Sequence, residues 1–138
     1  MIVVDTNMIA YLFIPGVHTA NAEAVSQKDS DWVVPLLWRF EFRNVLANYL
    51  RVKKMNLATS IQIAEKAEVF FHNRQHVVPT AKILELSEQS GCSAYDCEFV
   101  ALAQDLKVEF VTTDKKLFSV FKDTTISVQN FLKHDFRE

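Results

Sequence analysis

Four short stretches of this 138-residue chain carry side chains that could do chemistry together: Val4-Asp5-Thr6-Asn7, Glu41 in a mid-chain helical run, Ser93-Ala94-Tyr95-Asp96, and Thr112-Thr113-Asp114. Four carboxylates brought to one place cannot all stay ionised without a counter-charge, because like charges raise one another's pKa. The natural counter-charge is a hard divalent cation. Mg²⁺ takes oxygen ligands and keeps several of its waters. One or two such ions can activate water and stabilise the leaving oxygen of a phosphodiester. The chemistry to look for is therefore metal-assisted phosphodiester hydrolysis.

Each cluster also has a plainer structural reading. Asp5 or Asn7 could simply cap the helix that follows. Glu41 shares a polar strip with Asn44 and Asn48 at about 100° per residue, while Arg39 and Arg43 lie on another strip across the helix. A helix in a compact domain has one solvent face. If the arginines take it, Glu41 points into a cavity; if not, it is a second solvated edge. Ser93 to Asp96 has the spacing of a capping box, with Asp in place of Glu. By phase Asp96 sits with Phe99, Val100 and Ala103 on the apolar side, whereas Glu98 goes with Ala101 and Asp105 and is expected to face water. Asp114 could cap a short helix beginning at Lys115.

The elements that must position these groups read as an alternation of strands and helices. Ile2–Val4 is too apolar for a half-exposed strand and suits one buried on both faces, as in a parallel sheet. Trp32–Val34 is a second short strand, Val77-Val78 a brief extended segment, Val108–Val111 another buried run and Thr125–Val128 a last strand. Helices are expected at Asn7–Phe13, Thr19–Lys28, Leu36–Lys53, Leu57–Phe71, Pro79 to about Gln89 with Gly91 ending it, Ala94–Asp105 and Lys115–Phe121, and the tail is expected to be helical. This pattern predicts an α/β fold, a parallel sheet with helices on both faces, spanning residues 1–138 as one domain. Ligands of such sheets bind beyond the carboxyl ends of the strands, where the strand order reverses. Asp5 and Asp114 follow two of the best strands and are candidates to share that place.

Composition narrows the alternatives. With only 2 Gly, Gly16 and Gly91, the chain has neither a P-loop nor a dinucleotide fingerprint, both of which need bare backbone against phosphate. The net charge of −2 is unlike that of a phosphate-coating nucleic-acid binder. Setting the four candidate carboxylates aside, however, leaves the 15 basic residues in the majority. Cys92 and Cys97 are expected to be reduced thiols of a cytoplasmic protein, and His18, His72, His76 and His134 have no ligand spacing. Met1-Ile2-Val3-Val4 lacks the features of a secretory signal, and no apolar run approaches the roughly 18 residues of a membrane span.

Taken together, Ile2-Val3-Val4-Asp5-Thr6-Asn7, Glu41, Ser93-Ala94-Tyr95-Asp96 followed by Ala101-Leu102-Ala103, and Val111-Thr112-Thr113-Asp114 resemble the PIN domain, and within it the VapC-type toxins of bacterial toxin–antitoxin pairs. The resemblance runs along essentially the whole chain. It implies a three-layer α/β/α fold with a parallel central sheet and a Mg²⁺- or Mn²⁺-dependent endoribonuclease. Asp5, Glu41, Asp96 and Asp114 would be the catalytic, metal-holding quartet, with Asn7 and Thr112 as accessory polar groups. It also implies an RNA substrate, a homodimer and a cognate antitoxin protein as partner.

Two other function classes remain to be tested against the fold. One is a catalytically idle PIN-like module that binds RNA or a partner. The other is a phospho-accepting receiver-like domain, which needs a Lys at the end of a later strand, and no buried strand here ends in one. Arg39, Arg43, Lys53, Lys54, Lys115 and Lys116 are candidates to guide an RNA backbone. Of the 11 Phe, residues 70, 71, 118, 121, 131 and 136 are candidates for a partner surface or for the core.

Overall fold

A computed structural model describes residues 1–133. The end of the expected helical tail, with His134 and Phe136, lies outside them. The strands are β1 (Ile2–Val4), β2 (Trp32–Pro35), β3 (Gln75–His76), β4 (Phe110–Val111) and β5 (Thr125–Ile126). They form one all-parallel sheet in the order β3-β2-β1-β4-β5. The helices are α1 (Thr6–Phe13), α2 (Thr19–Lys28), α3 (Leu37–Arg51), α4 (Leu57–Phe71), α5 (Thr80–Ser90), α6 (Ala94–Leu106), α7 (Lys115–Val120) and α8 (Val128–Lys133).

The pleat sorts the strand side chains into two layers. Ile2, Val4, Trp32, Val34, Val111 and Ile126 face a core shared with α1, α2, α3, α4 and α8. Val3, Val33 and Phe110 face the opposite way, into a core shared with α5, α6 and α7. Both faces are covered, which is why the central strands read as unbroken apolar runs. The result is the expected three-layer α/β/α arrangement.

The chain runs outward from β1 through β2 to β3, then returns to the other side of β1 for β4 and β5. The strand order therefore reverses between β1 and β4. Val4 pairs with Val111, so Asp5 and Thr112 leave the sheet side by side.

Helix α3 is held by a stripe at i, i+4 and i+8. Trp38, Phe42 and Leu46 are all buried, and Trp38 packs on Phe71 of α4 at 4.9 Å between ring centroids. Full burial of each such side chain contributes about 1.5–3 kcal/mol relative to exposure, which fixes the rotation of α3. Glu41 stands beside this stripe rather than on it.

Several boundaries differ from expectation. The extended segment expected at Val77-Val78 is two residues earlier, because β2 pairs through Pro35 with His76 and the buried indole of Trp38 donates to Gln75 Oε1 at 3.0 Å. Val77 is instead exposed. Strand β4 is shorter than Val108–Val111, since Lys107 closes α6 in the left-handed region (φ 57°) and the Val108 amide is used on Ala103 O. Gly91, at φ 74°, ends α5 as expected. Val128 belongs to α8, whose first turn is held by the Asn130 amide on Ser127 Oγ, not to β5.

The phenylalanines are also placed. Phe71 and Phe131 are core, Phe70, Phe118 and Phe121 are half-buried, and among the described residues the exposed one is Phe40, outside the expected set.

Candidate active site

The β1–β4 junction builds the floor of a cavity of about 310 Å³. Asp5, Asn7, Glu41, Asp96, Thr112 and Asp114 all line it, so the six expected residues meet in one place. Val45, Phe99, Phe110 and Leu117 supply an apolar wall.

Asp5 is the most heavily bonded of the acids. Its Oδ1 accepts the Met8 amide at 2.9 Å, so it does cap α1. Its Oδ2 accepts the Thr112 hydroxyl at 2.8 Å, the Thr113 amide at 2.8 Å and the Thr113 hydroxyl at 3.2 Å. The capping reading and the site reading are thus both true of one carboxylate. Burial still pushes its carboxyl above the ordinary 3.8, against the bonds from Thr113, Met8 and Thr112 that favour the ionised form.

Glu41 reaches the cavity from α3 and is held there by the Thr6 hydroxyl at 2.7 Å. Burial raises its carboxyl above 4.5, and the charges of Asp96 and Asp5 push the same way. Glu41 therefore senses the charges of two of the other three acids. Asp96 sits in the first turn of α6, where Ser93 Oγ, not Asp96, makes the cap by accepting the Asp96 amide at 3.1 Å. Asp114 caps α7 through the Lys116 amide at 2.9 Å, and its own amide is held by Thr112 Oγ1 at 3.1 Å. Thr112 therefore bridges the two strand-end aspartates. Asn7 works through a neighbour, donating to Thr113 Oγ1 at 3.2 Å.

Three expectations need correcting. Arg39 does not take open solvent: it is half-buried 3.8 Å from Glu68 of α4, whereas Arg43, also 3.8 Å from Glu68, stays exposed as expected. Glu98 does not face bulk water. It is half-buried, and burial together with the charge of Glu41 raises its carboxyl. Ala101, placed on the same outer side, is fully buried. The cause is the same for both: α6 lies between α5 and the sheet, so it has little free face.

Sequence reasoning also passed over Thr6 and Thr113 as site residues. Both belong to quoted motifs, but only the fold shows what their hydroxyls touch. Asn44, on the Glu41 strip, lines the cavity as its phase suggested.

The donor set is all oxygen, which suits a hard cation. Among the described residues no three His, Cys, Asp or Glu are gathered closely enough to form a ready-made cage. It is the chemistry of the oxygen donors, not their present spacing, that suits Mg²⁺ or Mn²⁺. None of the ion pairs among the described residues uses Asp5, Glu41, Asp96 or Asp114. The receiver-like alternative finds no support here, since β4 runs into Thr112-Thr113-Asp114 and β5 into Ser127. Among the described residues no helix is long and apolar enough to cross a membrane.

The sequence profile described as PIN domain matches residues 2–123. No curated protein gives a significant match. Among solved structures, PAE2754 from Pyrobaculum aerophilum is similar with a TM-score of 0.74 at 20% identity, over 95% of this chain and 92% of that one. FitAcB from Neisseria gonorrhoeae is similar with a TM-score of 0.70 at 18% identity, over 94% of this chain and 99% of that one. At these identities the two structures speak for the fold.

Proposed function

The chain belongs to the PIN domain family, whose members are generally nucleases, and from that premise we propose that it is a Mg²⁺- or Mn²⁺-dependent endoribonuclease. The observation that carries the reading is the convergence of Asp5, Glu41, Asp96 and Asp114 from four separate elements on one cavity. Asp5, Glu41, Asp96 and Asp114 would together hold the cation. When bound, the cation supplies the positive charge that lets these carboxylates ionise together and the polarisation that makes a phosphodiester open to water.

The protein's own groups do the rest. Thr112 and Thr113 fix the rotamer of Asp5, and Thr112 couples it to the turn that carries Asp114. Asn7 holds the Thr113 hydroxyl in place. Glu41, its carboxyl raised by burial, is suited to take a proton from the attacking water. Lys115 and Lys116 are exposed next to Asp114 and are placed to meet a phosphate backbone, whereas Arg39 and Arg43 are engaged with Glu68.

The finer biology rests on the resemblance to VapC-type toxins: a single nuclease domain over residues 1–138, acting as a homodimer in the cytoplasm and restrained by a cognate antitoxin protein. The test of the activity is to sequence RNA ends after expression of the wild type and of Asp5→Asn, and to repeat cleavage in vitro with and without chelator. New RNA ends that depend on both metal and Asp5 support the reading. Cleavage that survives chelator and Asp5→Asn rules it out, and metal binding without cleavage would leave an idle binding module.

A further inference from the structure

Thr6 is one of three buried polar residues named among the described ones, with Ser60 and Thr112, and its hydroxyl has no part in making the helix it begins. Asp5 already caps α1 through the Met8 amide. At the first position of a helix there is no preceding turn whose carbonyl a threonine hydroxyl could reach. Instead Thr6 Oγ1 donates across 35 residues of sequence to Glu41 Oε1, at 2.7 Å. The two residues stand on different helices and both line the cavity.

From this geometry we infer that Thr6 is a positioning residue, which pre-places the Glu41 carboxylate for the cation; the inference rests on the metal-dependent nuclease reading. A glutamate has three side-chain torsions, and immobilising such a side chain costs rotamer entropy. A short bond from a buried hydroxyl to the carboxylate offsets that cost before the cation arrives. Thr6 itself cannot wander. It is β-branched, one residue from Asp5, and buried. The bond thus ties the first turn after β1 to the middle of α3, so that the acids from two helices keep their spacing.

The test uses Thr6→Val, which keeps the shape and removes the hydroxyl, and Thr6→Ser, which keeps the hydroxyl. Mn²⁺ affinity is measured by calorimetry, RNA cleavage as separate kcat and KM, and folding by thermal melting in chelator. Thr6→Val should weaken Mn²⁺ binding and lower kcat about 10- to 100-fold, the range for groups that orient metal ligands, with KM for RNA changed less than about twofold. Thr6→Ser should recover most of both.

In a Glu41→Gln background, Thr6→Val should add less than about twofold, because its partner is already altered. If Thr6→Val perturbs the melting transition, Thr6→Ala makes the same comparison without crowding by the second methyl. Wild-type Mn²⁺ affinity in Thr6→Val, or an undiminished loss in the Glu41→Gln background, overturns the inference alone. Failure of the wild type to bind Mn²⁺ or cut RNA overturns the nuclease reading and this inference with it.

Discussion

The two ends of β1 handle negative charge in opposite ways. At the amino end, Asp31 accepts Arg74 at 2.8 Å and Asp29 accepts the Met1 amino group at 2.8 Å. Each carboxylate there meets a cation from the protein. At the carboxyl end four carboxylates face one cavity, and their named partners are hydroxyls and amides. Hydrogen bonds of that kind orient an acid but do not cancel its charge. The amino end closes a fold. At the carboxyl end no ion pair among the described residues cancels the charge, and the Asp5 and Glu41 carboxyls are raised mainly by burial.

That contrast is most exposed to failure in activity. Asp5→Asn or Asp96→Asn should cut metal-dependent RNA cleavage by at least about 10²–10³-fold, on the scale of losing a charge-stabilising group in a dry site, with the circular dichroism spectrum unchanged. Asp31→Asn at the other end should leave cleavage within about twofold. Equal losses at both ends would erase the distinction.

A second, smaller effect is expected at Thr112, whose hydroxyl serves both strand-end aspartates. Thr112→Val should lower cleavage about 10- to 100-fold while the protein still melts cooperatively. A loss that appears only as instability would assign Thr112 to the fold instead.

The third effect is a pH-dependent stability. A carboxyl whose folded-state pKa lies above its unfolded value favours folding fully below the unfolded value, and that contribution is lost as pH rises through the folded one. For Asp5 and Glu41 the loss begins near 3.8 and 4.5 and continues up to their raised values. Metal-free protein should therefore lose stability through this contribution as pH rises from below 3.8, and Asp5→Asn should flatten that loss. At pH 8, Mn²⁺ at 100 times its Kd should restore about 2.7 kcal/mol. Melting curves unaffected by pH, metal and Asp5→Asn alike would show that the acids do not share a cavity charge.

The smallest effect belongs to the amino end. Arg74→Ala should cost no more than about 1 kcal/mol, because the Arg74–Asp31 pair is substantially exposed. Urea unfolding measures it, and RNA cleavage should not change.

Much of this was legible before the fold was known. Ile2-Val3-Val4 read as a strand buried on both faces because it offers no polar residue to either side, and the pleat sends Val3 one way and its neighbours the other. Trp38, Phe42 and Leu46 set the phase that turns Glu41 to the cavity, whereas 100° per residue by itself leaves that strip either facing a cavity or forming a second solvated edge. Elsewhere the same rule misled. Glu98 was placed in water because its helix was treated as having a solvent face, but α6 is covered by α5 as well as by the sheet. Arg43 does stay exposed, but Arg39 is half-buried beside Glu68 of another helix, a neighbour that local phase does not reveal. Gln75–His76 became a strand because Pro35 and Trp38 reach it, not because of its own residues, which carry little strand preference.

The sequence alone determined the fold class and put forward the four acids as candidates, because periodicity, strand ends and residue type are local properties of a chain. Only the tertiary structure decided which hydroxyl serves which carboxylate. The Thr6–Glu41 bond spans 35 residues, and the bonds from Thr112 and Thr113 to Asp5 span 107 and 108. A hydroxyl has no preferred partner until packing leaves one oxygen within about 3 Å of it, and that distance is set by the parallel register of β1 with β4 and by the buried stripe that holds α3 against α4.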